Sequence, residues 1–259
     1  MLTLGINLHA LKELHYDTCL REMADIGFGA TFTMTENEAY HDKVANACAK
    51  HGIRYESIHA PAVGINRIWQ EDDGGILQAL MDSVRFCAIA GAPILVVHLS
   101  SGNTPPPMCD VGFSRFQRLS EYAESNGIRL AFENLRKLSN LAWAMERFPN
   151  AGFCWDCGHE SCFTPGLRFM PLFGDRLICT HIHDNTGVYD EDCHFIPFDG
   201  HIDFSYVTEQ LRTYDYRGTL MLEIGSRASG GKSNRYDSMP AKEFLTRAYT
   251  AADTLRRMI

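Results

Sequence analysis

Six side chains able to bind a metal or move a proton share one kind of place in this chain, directly after a short run of apolar or small residues. They are His59 in YESIHAP, His98 in LVVHLSSG, Glu133 in LAFENL, Asp156 in CWDCGH, His181 in ICTHIHDN and Glu223 in MLEIG. Alone, an acid at such a point is ordinarily a helix cap or a solvated group. Repetition changes the reading, because gathering the carboxylates of Glu133, Asp156 and Glu223 in one buried place is costly unless a cation neutralises them. Oxygen and imidazole donors suit a divalent ion, with manganese, cobalt, zinc and magnesium all compatible. One such ion is expected on a core of Glu133, Asp156, His181 and Glu223.

Further candidates lie just past these runs. His159 follows Asp156 in D-x-x-H spacing, and Asp192 and His194 form D-x-H in EDCHFIPFDGHIDF. On a loop such a triplet is ordinarily a solvated pair; its place after ICTHIHDN is what argues for the site. His183 shares the parity of His181, so alternation leaves open which imidazole meets the ion, while Asp184 is placed to fix an imidazole tautomer. Cys154 and Cys157 make a lone C-x-x-C around Asp156, without a second pair and off a helix N-terminus, so a zinc or redox motif is rejected and Cys154 reads as interior filling. Trp69 in INRIWQ is either an aromatic wall for a bound sugar ring or a buried loop anchor. Trp143 and Phe148 read as helix packing.

The elements that must position these groups are marked by a recurring join, in which an amphipathic stretch ends in glycine and an apolar run follows. Gly27, Gly52, Gly91, Gly127, Gly152 and Gly218 occupy such joins, each reading as a helix C-cap that feeds a strand. With LTLGINL and RLICTHIHD added, eight strands alternate with helices, which implies a parallel sheet closed into a single (β/α)8 barrel, α/β in class, over residues 1–259. An open doubly wound sheet would want a Gly-rich turn after the first strand, and LHALKE has none. In AYHDKVANACAKHG, Val44, Ala47, Cys48 and His51 fall at helical intervals, the stripe of a helix on a barrel wall. Long joins after the third, fourth and eighth strands lie at the end where barrels build substrate pockets; the last carries Arg227, Lys232 and Arg235, which are either phosphate ligands or solvated loop charges.

Bulk properties bound the function. A net charge of −8 argues against a broad nucleic-acid surface, and the N-terminus and the apolar runs suggest neither a signal peptide nor a membrane span. Nine cysteines at irregular spacing fit free thiols in a reducing, cytoplasmic compartment. A homo-oligomer stays open.

The motifs HAP, VHLSSG, FEN, WDCGH, HIHDN, D-x-H, PFDG and LEI, spread over nearly the whole chain, resemble the xylose isomerase-like barrel superfamily, which includes sugar phosphate isomerases and epimerases as well as endonuclease IV. That resemblance implies a metal on Glu133, Asp156, His181 and Glu223. In the ketose 3-epimerase branch it further implies that the two glutamates act as acid and base and that His159 contacts substrate. The endonuclease IV branch implies three zincs on nine ligands, matching His59, His98, Glu133, Asp156, His159, His181, Asp192, His194 and Glu223. Here TENEAYHD and HAPAVGIN lack a clear basic or wedge residue for DNA, and TGVYDEDC lacks the arginine that the epimerase branch tends to carry.

The expected reaction is metal-dependent isomerisation or epimerisation of a small carbohydrate, a sugar or sugar phosphate, through an enediolate. A divalent cation stabilises that species while Glu133 and Glu223 remove and return the proton. His59, His98 and His159 then bind hydroxyls, with Asp192, His194 and His183 as additional substrate or metal groups. Elimination from a 3-keto glycoside shares the first step and is one alternative. Abasic-site cleavage by a trinuclear zinc cluster is the other, and a non-catalytic binding barrel would have little reason to keep converging carboxylates.

Overall fold

The computed structural model describes the chain except residues 12–13 and 227–234. Eight parallel strands, β1 (Thr3–Ile6), β2 (Ala30–Met34), β3 (Arg54–His59), β4 (Ile94–Val97), β5 (Arg129–Glu133), β6 (Gly152–Asp156), β7 (Leu177–His181) and β8 (Thr219–Leu222), pair in the order β7-β6-β5-β4-β3-β2-β1-β8. The ring closes between β7 and β8 through the parallel bridge Ile182 to Leu222, with Ile182 N–H donating to Met221 O at 2.8 Å and Glu223 N–H to Ile182 O at 3.1 Å. The expected barrel is what forms. Around it lie α1 (Tyr16–Ile26), α2 (Glu38–His51), α3 (Ile76–Ala90), α4 (Asp110–Ser125), α5 (Leu138–Arg147), α6 (Cys157–Phe163), α7 (Met170–Phe173), α8 (Phe204–Thr213) and α9 (Ala241–Met258). No helix among the described residues is long and apolar enough to cross a membrane.

Alternation along each strand divides the apolar residues between two places. One set packs against the helices in a continuous core; the other fills the interior, where Val96, Ala131, Cys154 and Cys179 form one cluster and Ala30, Phe32 and Met221 another. Cys154 is thus interior filling, and all nine cysteines are free. At the opposite end from the candidate site residues, the buried Glu56 accepts from Arg54 Nε at 3.0 Å and from Thr219 Oγ1 at 2.5 Å, so the interior is plugged there by a compensated charge. On α2, Val44, Ala47 and Cys48 are buried as the stripe requires, whereas His51 is half-buried against Asp17 at 3.1 Å and the buried His41 completes the face.

The glycine joins divide by cause. Gly27, Gly52 and Gly91 cap α1, α2 and α3 in the left-handed conformation, and Gly127 adopts it one residue past the α4 cap. Gly152 and Gly218 do not. Gly152 opens β6 where a Cβ would overlap Ile178, and one on Gly218 would meet the Tyr216 ring, so close approach, not backbone conformation, requires glycine at both joins.

Candidate metal centre

The last residues of β5, β6 and β7 are Glu133, Asp156 and His181, and Glu223 directly follows β8. Strand pairing sets Asp156 level with His181, and Asn134 locks the neighbouring strand end. Its side chain donates to Asp156 O and accepts from Asp156 N, both at 2.8 Å, while its own carbonyl accepts from His159 Nδ1 at 3.1 Å. Sequence reasoning missed this residue; its signal was an amide directly after a strand-ending acid, in FEN.

Donor atoms of Glu133, Asp156, His181 and Glu223 all lie within 4.8 Å of one another, as do those of His59, His98 and Glu133, and those of His159, His183, Asp192 and His194. Glu133 joins the first two groups. Its Oε1 is 2.7 Å from His181 Nδ1, and its Oε2 is 2.6 Å from His98 Nε2 and 3.1 Å from His59 Nε2. Asp156 touches the outer group through His183 Nε2 at 3.1 Å and His159 Nδ1 at 3.5 Å. His181, not His183, therefore faces both glutamates, with Glu223 Oε2 3.1 Å from Nδ1, and Phe32 stacks beneath its ring at 4.7 Å. A Cβ on Gly158 would overlap the His183 ring, so glycine is required beside it.

Imidazole tautomers are fixed by backbone. Nδ1–H of His59 donates to Ala60 O at 2.7 Å and that of His194 to Glu223 O at 2.7 Å, which turns each Nε2 toward a carboxylate. His194 Nε2 and His159 Nε2 meet the same atom, Asp192 Oδ2, at 3.0 and 3.3 Å. Two lone pairs facing an anion repel, so either protons or a cation must sit there. His183 Nδ1, Asp192 Oδ1 and Glu223 Oε2 are buried without a hydrogen-bond partner, three orphans in the two groups. This donor chemistry fits a divalent ion.

The electrostatics agree. Burial alone would raise the Glu133 carboxyl, but His181 and the hydrogen bonds from His181, His59 and His98 hold it well below the usual range. Burial would likewise raise Glu223 and Asp192; His181 lowers the first, and His194 with His159 lowers the second. Burial opposes charge on the imidazoles, yet Glu223 and Glu133 push His181 well up, Asp156 and Asp192 do so for His159, and Asp192 takes His194 to about 10. His98 moves the other way, its burial outweighing Glu133. Without an ion the site holds its charges by keeping protons on these rings.

The structure places the remaining sequence candidates. Asp184 fixes no imidazole; its carboxylate accepts from the backbone N–H of Asn185, Gly200 and Ile202 at 2.8, 2.8 and 3.0 Å and so folds the loop carrying Asp192 and His194. Trp69 takes the anchor role, 5% exposed, its Nε1–H donating to Leu99 O at 2.7 Å and its ring against Phe116 and Trp143. Trp69→Phe is accordingly expected to lower stability by about 1–2 kcal/mol in chemical denaturation, the cost of stranding that carbonyl, with KM for any substrate unchanged. Arg235 is committed to Asp199 O and the Phe195 ring, and Arg227 and Lys232 lie outside the described residues.

Comparison with known proteins accords with the barrel fold. Residues 11–247 match the family model described as xylose isomerase-like TIM barrel. The uncharacterized protein y4fM of Sinorhizobium fredii is 30% identical over 207 residues, spanning 74% of this chain but 63% of that protein, so the match leaves over a third of the relative uncovered. The uncharacterized protein MJ1311 of Methanocaldococcus jannaschii is 25% identical over 215 residues, 74% of this chain and 70% of its own length. Among solved structures, D-psicose 3-epimerase of Clostridium cellulolyticum H10 with D-tagatose superposes with a TM-score of 0.81 at 14% identity, covering 100% of this chain and 99% of that one. An L-ribulose 3-epimerase gives 0.75 at 17% identity, covering 99% and 96%. At these identities the structural likeness is one of fold; the family-model match extends over most of the sequence, and by it the chain belongs to the xylose isomerase-like TIM barrel family.

Proposed function

We propose that this chain is a divalent-metal-dependent isomerase or epimerase that moves a proton next to the carbonyl of a sugar or sugar phosphate. One observation carries the reading: two carboxylates from different strands, Glu133 and Glu223, face the same His181 Nδ1 at 2.7 and 3.1 Å, with Asp156 completing an oxygen-rich donor set. Glu133, Asp156, His181 and Glu223 would hold the ion, which supplies Lewis-acid polarisation of the carbonyl and its adjacent hydroxyl.

The chain's own residues divide the remaining work. Glu223 has the oxygen without a hydrogen-bond partner and a side chain 14% exposed, so it is the carboxylate positioned to accept the proton. Glu133 is fully enclosed, and His59, His98 and His181 stand within hydrogen-bonding reach to resupply it with a proton for return. His59, His98 and His159 offer ring nitrogens to hydroxyls. That several solved structures of this fold are 3-epimerases of psicose, ribulose and allulose supports a ketose as the first substrate to try.

A second reading has its own observation, the two further ligand groups adjoining the first, which suit a multinuclear zinc phosphodiesterase. Metal content decides between them. Protein purified without added metal is expected to carry about one manganese, cobalt or zinc per chain and, in deuterium oxide, to exchange deuterium into a ketose of a panel. Three zincs per chain with cleavage of an abasic-site duplex would overturn the isomerase reading, and exchange with loss of an aglycone from a 3-keto glycoside would move it to elimination.

A further inference from the structure

Arg136, three residues past Glu133, takes part in none of the ligand groups, yet it grips two of the elements that carry the outer one. Its guanidinium places Nε 3.2 Å and Nη2 2.5 Å from Asp190 Oδ1, and its Cζ lies 3.6 Å from the centroid of the Phe163 ring. Phe163, at the end of α6, stacks on His159 at 4.9 Å and 24°. Asp190 lies two residues before Asp192, whose Oδ2 is 3.3 Å from His159 Nε2. One guanidinium thus touches the neighbour of each partner in the His159–Asp192 contact.

Asp190 is held hard for a loop residue. Asn103 Nδ2 donates to its Oδ2 at 3.1 Å, its own N–H donates to Cys162 O at 3.0 Å, and its φ of 67° is left-handed. His194 and Phe198 follow with φ of 49° and 74°, so three non-glycine residues of this short stretch adopt a backbone that persists only where surrounding contacts enforce it. The flat guanidinium can lie over an aromatic ring and donate two N–H groups from its edge at once, which an ammonium cannot.

We propose that Arg136 is a positioning residue: by holding Phe163 and Asp190 together it sets the gap between His159 and Asp192, and with it the assembly of the outer ligand group. Only the kinetic arm of its test rests on the proposed reaction. The variants are Arg136→Met, Arg136→Lys, Asp190→Asn and the double variant Arg136→Met/Asp190→Asn of the full chain; asparagine tolerates the left-handed backbone, so Asp190→Asn removes the charge and keeps the turn.

Hydrogen exchange without substrate is read in two segments, residues 157–163 and 186–195. Arg136→Met is expected to speed exchange in both by about tenfold or more, Asp190→Asn chiefly in the second, with β1–β4 unchanged. In turnover, kcat/KM is expected to fall about 10- to 100-fold in Arg136→Met, to recover little in Arg136→Lys, and to fall no further in the double variant, since both changes break one grip. Multiplying effects in the double variant, full recovery by lysine, or unchanged exchange in both segments would each overturn the proposal. A wild-type chain that turns over no ketose defeats the reaction instead, and the exchange arm then decides Arg136. Should Arg136→Met not fold, Arg136→Gln carries the same arms.

Discussion

Glu133→Gln and Glu223→Gln are each expected to lower turnover by at least about 10³-fold while the barrel stays folded, because on the proposed mechanism each removes both a metal-binding charge and a proton-transfer group. The amide keeps the carboxylate's shape, so no cavity opens; what is lost is charge. At Glu223 the change removes one carboxylate facing His181 Nδ1 at 3.1 Å, so the metal-free chain should lose stability there too, less than at Glu133, which three imidazoles face. At Glu133 three imidazoles lose their common acceptor inside a fully enclosed space, and breaking such a buried set costs about 3–5 kcal/mol in the metal-free chain. Initial rates with circular dichroism and denaturant melts separate the two effects. Full activity in both variants would sink the mechanism.

Removing the metal should change the shape of the stability–pH curve as well as its height. In the metal-free chain His181, His159 and His194 have raised pKa values. Their stabilising contribution is therefore fully present below about 6.5 and is lost as pH rises through the folded values, about 10 for His194. Glu133, Glu223 and Asp192 are depressed, so their contribution is present above the ordinary carboxylate range and lost as pH falls through the lower folded values. The chelated protein should then be most stable near pH 5–6, a narrow optimum set between ordinary carboxylate and imidazole values. A bound ion takes the place of the ring protons, so the gain from metal should grow from pH 6.5 toward 9 and binding should release protons. Thermal melts with and without chelator across pH, together with calorimetry in buffers of different ionisation enthalpy, read both quantities. A gain that shrinks with rising pH would contradict the site's charge balance.

Most of the frame was legible because it is written in local, repeated terms. Apolar runs of strand length, six of the eight ended by a donor residue, state where the strands stop, and the same ending places Glu133, Asp156, His181 and Glu223 on one rim. Parity could not separate His181 from His183, since both point the same way; what separates them is how far each lies past the β7 bond to Asp156, a tertiary fact. Asp184 was misread because a carboxylate beside a histidine looks like its partner, while its three donors come from the backbone up to 18 residues on. Trp69 and Arg136 show the same limit from the other side. Nothing in their neighbouring residues tells which loop an indole or a guanidinium will reach, and in each case the contact that assigns the role crosses to another strand's loop.

The closure of the barrel has a mechanical side. β7 and β8 are joined through the parallel bridge of Ile182 and Leu222, which lie one residue past His181 and one before Glu223. Whatever draws the His181 and Glu223 side chains together, a shared proton or an ion, adds a side-chain rung to that seam. The candidate site is in that sense also a clasp of the barrel, and filling it would tie together the ends of the last two strands.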